Sequence, residues 1–179
     1  MKHKFSVFDY VLLSAMVVHI ILGVLVIVFS NDVFEKNNIF IGSILMASGV
    51  PSLLIFLSVD GHKNFRKFPY LASSIIAFVI GLIFILFNEI TLDHMFLAIG
   101  IFDIVRGLYE IVDASLEIKV NKLEIMEVAS AAGDVIFGIL LCIKLSEGYK
   151  NHLIFMGAAL LLVGIKFLLD LIFDLKSNG

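Results

Sequence analysis

The sequence predicts an all-α membrane protein, in which six transmembrane helices form three tandem helical hairpins closed into a pseudo-threefold bundle. Three observations carry that prediction. The 179 residues are 60 % hydrophobic and only 16 % charged, with a mean hydropathy of +1.07, whereas a soluble domain is closer to half apolar and a quarter charged. Six apolar windows follow one another, each long enough to cross a bilayer. Glycines recur in three matching sets.

Gly23, Gly42 and Gly49 form the first set; Gly81, Gly100 and Gly107 the second; Gly138, Gly157 and Gly164 the third. The spacing within each set is 19 and then 7 residues, and the sets stand 58 and then 57 residues apart. With glycine at its average usage, six such coincidences have a raw probability on the order of 10⁻⁷. The chain is therefore an internal repeat, and a repeat decides the architecture before any single element does.

The apolar windows place the spans at about Phe8–Ser30, Ile39–Val59, Tyr70–Asn88, Leu92–Val112, Glu124–Leu145 and Leu153–Phe173. Lys2, His3 and Lys4 before the first of them give it the look of a secretory signal, but the window is too long for one and is expected to be retained. In the second, Pro51 removes a backbone hydrogen bond and is expected to kink the helix. In the third, Pro69 precedes the span, a position that suits the first turn of a helix. The first glycine of each set falls late in an odd-numbered helix and the other two fall in the next even-numbered one. One repeat is then one hairpin, with bounds of about 8–59, 70–115 and 124–175 in a single membrane domain. Successive hairpins enter from the same side, as parallel repeats about an axis along the membrane normal.

Lysine and arginine set the orientation. One side carries Lys2, Lys4, Lys63, Arg66, Lys67, Lys119, Lys122 and Lys176; the other carries Lys36, Lys144 and Lys150. This imbalance predicts both termini in the cytoplasm. The chain has no tryptophan, so phenylalanine and tyrosine are expected to anchor the interfaces. Phe5, Phe8, Tyr10, Phe65, Phe68 and Tyr70 serve one face, and Phe34, Phe40, Phe87 and Tyr149 the other.

Seven residues is close to two helical turns, so Gly42 and Gly49 share a face, as do Gly100 with Gly107 and Gly157 with Gly164. Lipid gives no hydrophobic drive between helices, and association rests on close packing at small residues. The nine glycines are expected to form helix–helix seams, widened by Ser43, Ala47, Ala129, Ala131, Ala132 and Gly133. Lining a pore is the functional alternative.

Ionisable groups within spans are costly and default to a functional hypothesis. His19, Asp103 and Asp134 fall near span centres; Arg106 and Lys166 lie roughly 6 Å and 4.5 Å toward the cytoplasm, at 1.5 Å per residue. Asp103, Arg106 and Glu110 share one face of the fourth helix, and Lys166 and Asp170 are an i, i+4 pair on the sixth. His19 and Asp134 occupy equivalent repeat positions, with Ala77 between them. Two readings follow. In one, Asp103 and Asp134 balance Arg106 and Lys166 in a paired network that fixes helix register. In the other, Asp134 and Asp103 carry protons, His19 relays them, and the cations tune the site. A histidine in such a place is ordinarily structural, with His19 donating to a neighbouring helix. His94 and His152 have no further ligands in view, so no metal site is expected, and no cofactor is implied.

The segments "HIILGVLVIVFS…IFIGSILMASGV", "AFVIGLIFILFN…MFLAIGIFDIVRGLYEI" and "GDVIFGILLCIK…LIFMGAALLLVGIKFLL" resemble the HdeD/DUF308 family of small bacterial membrane proteins, over about residues 8–175. The resemblance implies the bacterial inner membrane and a role in acid or other stress.

Several function classes drop out. The net charge of −3 argues against nucleic acid. The single cysteine, Cys142, allows neither a disulfide framework nor a thiolate metal site. HExxH, GxSxG, phosphate-loop and CxxC motifs are missing, so no enzyme is expected. The proline–acid–base signature of the three-repeat mitochondrial carriers does not recur. What remains is a non-enzymatic membrane protein, a small transporter or proton conductor built on the midspan charges, or a scaffold for partner helices. The implied partners are the lipid bilayer and either a second copy or another membrane protein.

Overall fold

The computed structural model describes residues 6–30, 38–58, 64–87, 91–115, 122–143 and 150–177. They form six helices: α1 (Val7–Val28), α2 (Asn38–Ser58), α3 (Asn64–Leu86), α4 (Leu92–Ser115), α5 (Lys122–Cys142) and α6 (Lys150–Ser177). At about 1.5 Å per residue all six reach the roughly 30 Å of a bilayer core. By length and composition together, Val7–Val28, Asn38–Ser58 and Lys150–Phe173 suffice to cross a membrane. Among the described side chains α3 and α5 add the apolar stretches Tyr70–Leu86 and Val128–Cys142, the second interrupted by Asp134, and α4 carries Asp103, Arg106 and Glu110.

Two helix starts have clear local causes. Ser6 caps α1: its hydroxyl accepts from the Asp9 backbone N–H, and the Asp9 carboxylate accepts from the Ser6 N–H at 2.6 Å. This reciprocal capping box satisfies two donors that a helix start leaves open. Helix α3 begins at Asn64, six residues before the expected start, so Pro69 lies within the helix and not at its entry. Helix α2 runs on through Pro51, which is buried. Lys2, Lys4, Lys36, Lys63, Lys119 and Lys144, on which the orientation argument leans, lie outside the described residues, as do Phe5, Phe34 and Tyr149.

The glycines decide which helices pair. Gly42 faces Gly81, Gly100 faces Gly138, and Gly157 faces Gly23, each so close that an added Cβ would stand 2.5–2.9 Å from the other's carbonyl oxygen. The tight pairs are thus α2–α3, α4–α5 and α6–α1, all antiparallel, since a glycine early in an even helix meets one late in an odd helix. Helices α1 and α2, like α5 and α6, pack more loosely, and α3 barely touches α4. The hairpin that repeats in sequence is therefore not the unit that packs most closely. Each hairpin gives one glycine to the neighbour on either side, and α6 returning to α1 closes the ring.

The third glycine of each set makes a second contact on the same pair. Gly49 meets Ala77 and the Ser74 carbonyl, Gly107 meets the Ala131 carbonyl and Val135, and Gly164 meets Ile20 and His19. Outside, large apolar side chains on every helix face outward, among them Ile21, Leu57, Val79, Val105, Ile136 and Ile165. An apolar coat of this extent is foreign to a soluble monomer. Tyr10 and Phe87 are exposed at opposite ends of the bundle.

The interior has two apolar layers. One, at the end away from the termini, draws on all six helices through Val26, Ile41, Phe84, Met95, Leu141 and Leu153. The other, toward the termini, is built from Leu12, Ala15, Ile55, Phe167 and Leu171, and Tyr70 packs against it. Among the described residues α4 and α5 add nothing to this second layer.

The contacts rank the glycines by what a side chain would strike. A Cβ on Gly107 would sit 2.5 Å from the Ala131 carbonyl oxygen, which is backbone and cannot move alone. On Gly133 it would strike only the flexible tip of Leu162. Gly107→Leu is expected to cost about 3 kcal/mol or to abolish assembly through overpacking, while Gly133→Ala costs under about 1 kcal/mol. Thermal unfolding and size-exclusion profiles of the two variants in detergent check the difference.

Candidate functional site

Helix register sets the site. With Gly100 opposite Gly138 and Gly107 opposite Ala131, residues 103 to 106 of α4 lie alongside residues 132 to 135 of α5. This brings Arg106 to Asp134: the guanidinium Nη2 donates to Asp134 Oδ2 at 2.5 Å. One turn along α4, Glu110 Oε1 stands 3.8 Å from Arg106 Nε, an ion-pair distance too long for a hydrogen bond. Glu110 Oε2 accepts instead from Lys166 Nζ of α6 at 2.6 Å. The guanidinium also lies over the Phe102 ring, 5.9 Å from its centroid.

The result is a chain of charges, Asp134–Arg106–Glu110–Lys166, that ties α5, α4 and α6. Its Lys166 end lies between Val163 and Phe167 of the second apolar layer, to which α4 and α5 add nothing among the described residues. The side chains of Arg106, Glu110 and Lys166 keep 20 %, 21 % and 16 % of their exposure and that of Asp134 keeps 2 %. Pairing offsets the desolvation of each ion, and removing one partner leaves the other stranded.

The pairing departs from sequence expectation at three points. Lys166 does not pair with Asp170 on its own helix; it reaches Glu110 on another, since the bundle turns that face of α6 toward α4. Asp170 is half-buried. Asp103 shares in balancing Arg106 only through its field: it is 8 % exposed, and among the described residues no direct hydrogen bond or ion pair reaches it. His19 does not donate across to a neighbouring helix. Its Nδ1–H donates to the Ala15 carbonyl of its own helix at 2.9 Å, the preceding-turn acceptor that a short side chain finds first. The His19 ring packs tilted against Phe167 at 5.3 Å, in room left by Gly164.

His94 and His152 have separate local roles. His94 Nδ1 is 2.6 Å from the Thr91 hydroxyl at the start of α4. His152 is buried, stacks on Phe96 at 5.0 Å, and donates from Nε2 to the Ile143 carbonyl just past the end of α5 at 2.9 Å. That bond satisfies one of the carbonyls a helix end leaves open. Among the described residues no group of three His, Cys, Asp or Glu side chains is placed to hold a metal.

Among the buried polar residues that escaped the sequence reading, two bear on the site and the helix start. Asp9 has no exposed surface, and its signal was legible as Ser6-x-x-Asp9 before an apolar run. Ser130, on α5 one turn from Asp134, had no signal among its alanines. Its hydroxyl, Asp134 Oδ1 and Arg106 Nε are buried without a hydrogen-bond partner.

These features define a class: an all-helical bundle with an apolar exterior, a charged interior and three tandem units joined at glycine seams. The chain belongs to the DUF308 family, described as a short repeat of unknown function, which matches residues 15–86 and 72–143. The two matches begin 57 residues apart, in step with the glycine spacings of 58 and 57. Each runs through a tight pair and the helix before it, α1–α2–α3 and then α3–α4–α5. The corresponding third unit is α5, α6 and α1, split between the two ends of the helix order. No curated protein and no solved structure matches the chain.

The ion pairs separate by mutation. Arg106→Leu strands Asp134 and is expected to cost about 3 kcal/mol, whereas Arg106→Leu with Asp134→Leu recovers most of that loss. Denaturation of the single and double variants in the same detergent checks the coupling.

Proposed function

We propose that this chain is a non-enzymatic integral membrane protein in which the buried charges lock helix pairs together and do not conduct. All six helices span the bacterial inner membrane, with both termini in the cytoplasm. The acid- or stress-related role implied by the HdeD/DUF308 resemblance belongs to the same reading. One observation carries it: between the charge chain and the end away from the termini lies an apolar layer fed by all six helices. A proton entering from that end meets Met95, Phe96, Ile41 and Leu153, each 1 % exposed or less. The charges pair across helices, as a lock requires. Glu110 and Lys166 join the α4–α5 pair to the α6–α1 pair, where direct packing is looser.

A transporter or proton conductor is the second reading, and Asp103, buried outside the paired set, is the observation that favours it. Proton flux into proteoliposomes under an imposed pH gradient separates the two. The lock reading expects no flux above empty liposomes for the wild-type protein. Flux that disappears in Asp134→Asn or Asp103→Asn would establish the conductor instead. Deletion of the gene is expected to lower survival under acid stress, and unchanged survival would remove the stress role.

A further inference from the structure

We propose that Asp103 binds one small monovalent cation, either a proton or an alkali-metal ion, at the α4–α5 seam near Asp134. The inference is independent of the lock, since it assigns a ligand to the one acid the lock leaves over.

Five charged side chains, Asp103, Arg106, Glu110, Asp134 and Lys166, occupy the interior on the terminal side of the six-helix apolar layer. Arg106 neutralises Asp134, and Lys166 neutralises Glu110. Asp103 remains, at the middle of α4, buried, within the field of Arg106 but with no hydrogen-bond or ion-pair partner of its own among the described residues. An isolated carboxylate away from water is costly, and at bilayer depth more so. A single positive charge bound there removes that cost.

The surroundings select the ligand class. On its own helix Asp103 is followed by Arg106, one turn away on the same face. From α5 it meets the field of Asp134, and its own field reaches Cys142. His19 of α1 shares the field of Arg106. Glu110 and Lys166 are held by each other, and the described part of α3 next to α4, residues 70–87, carries no charge. Oxygen is the available donor: the two atoms of Asp103 and the unpartnered Oδ1 of Asp134. Carboxylate oxygens suit hard cations. The Arg106 guanidinium nearby repels a doubly charged ion more than a singly charged one. Ser130 extends the line of unpartnered oxygens along α5 toward the end that carries the termini.

The test uses the full-length protein in lipid nanodiscs. Infrared difference spectra across a pH series, in choline buffer, read the protonated carboxyl band. Unfolding temperature in sodium or potassium chloride, against choline chloride at equal ionic strength, reads alkali binding. The wild-type protein is expected to show one of two signatures: a carboxyl band that titrates, identifying a proton, or a saturable rise in Tm, identifying an alkali ion. Asp103→Asn keeps the shape and both ion pairs, and is expected to lose that signature or to weaken binding at least about tenfold. A signature unchanged in Asp103→Asn overturns the assignment. Absence of both signatures in the wild-type protein overturns it as well, whether or not the variant folds. A bound cation without flux leaves the lock intact, so the two readings fail separately.

Discussion

The close approach of backbones at Gly42–Gly81, Gly100–Gly138 and Gly157–Gly23 is the constraint on which the rest of the structure depends. The apolar exterior suggests lipid surroundings, in which no hydrophobic force presses helices together and cohesion comes from van der Waals contact over surfaces that fit. A methyl group at any of these six positions would meet a carbonyl oxygen at 2.9 Å or less. The three contacts are reciprocal, so each glycine pair fixes both the spacing of two antiparallel helices and their axial register. Register in turn decides which polar residues meet. Arg106 finds Asp134 because Gly100 and Gly107 seat α4 against Gly138 and Ala131 of α5.

Symmetry of the scaffold and asymmetry of its contents then combine. The residue four before the late glycine of each odd helix is His19 in α1, Ala77 in α3 and Asp134 in α5. A third glycine of the ring, Gly164, Gly49 or Gly107, packs at or beside each of these positions. Three equivalent places therefore hold an imidazole, a methyl and a carboxylate. The charged side of the interior lies with α4, α5 and α6. The apolar side lies with α1 and α2, through Leu12, Ala15 and Ile55, and α6 joins it through Phe167 and Leu171.

Legibility followed the range of the interaction. The glycine seams could be read because a repeat writes the same contact three times, and the helix windows because hydropathy is local. Closure of the ring needed the contact of Gly23 with Gly157, which sequence spacing alone does not supply. Charge pairing was the least legible part. Spacing along one helix offers Asp170 to Lys166, yet the lysine crosses to Glu110, a choice made by helix rotation within the bundle. The same limit hid Asp103, whose sequence neighbours include a cation that turns to another helix. Ser130 was hidden for a different reason: a hydroxyl among alanines has no pattern, and only burial marks it out.

The contact between α6 and α1 carries a consequence for how such a chain is made. Helices α2 and α3, and later α4 and α5, meet partners that follow them directly during synthesis. Helix α1 has no such neighbour, because its glycine face is filled by the helix that emerges last of the six. For a chain threaded into a bilayer from its N-terminus, α1 waits in lipid through the making of four other helices. Its composition suits the wait: its mean hydropathy of 3.0 exceeds the 2.1 of α2 and the 2.2 of α6. It holds no lysine or arginine, and its acid, Asp9, is folded into its own capping box. The ring is thus completed by a delayed return, and the helix that must stand alone longest is the one best dissolved in its surroundings.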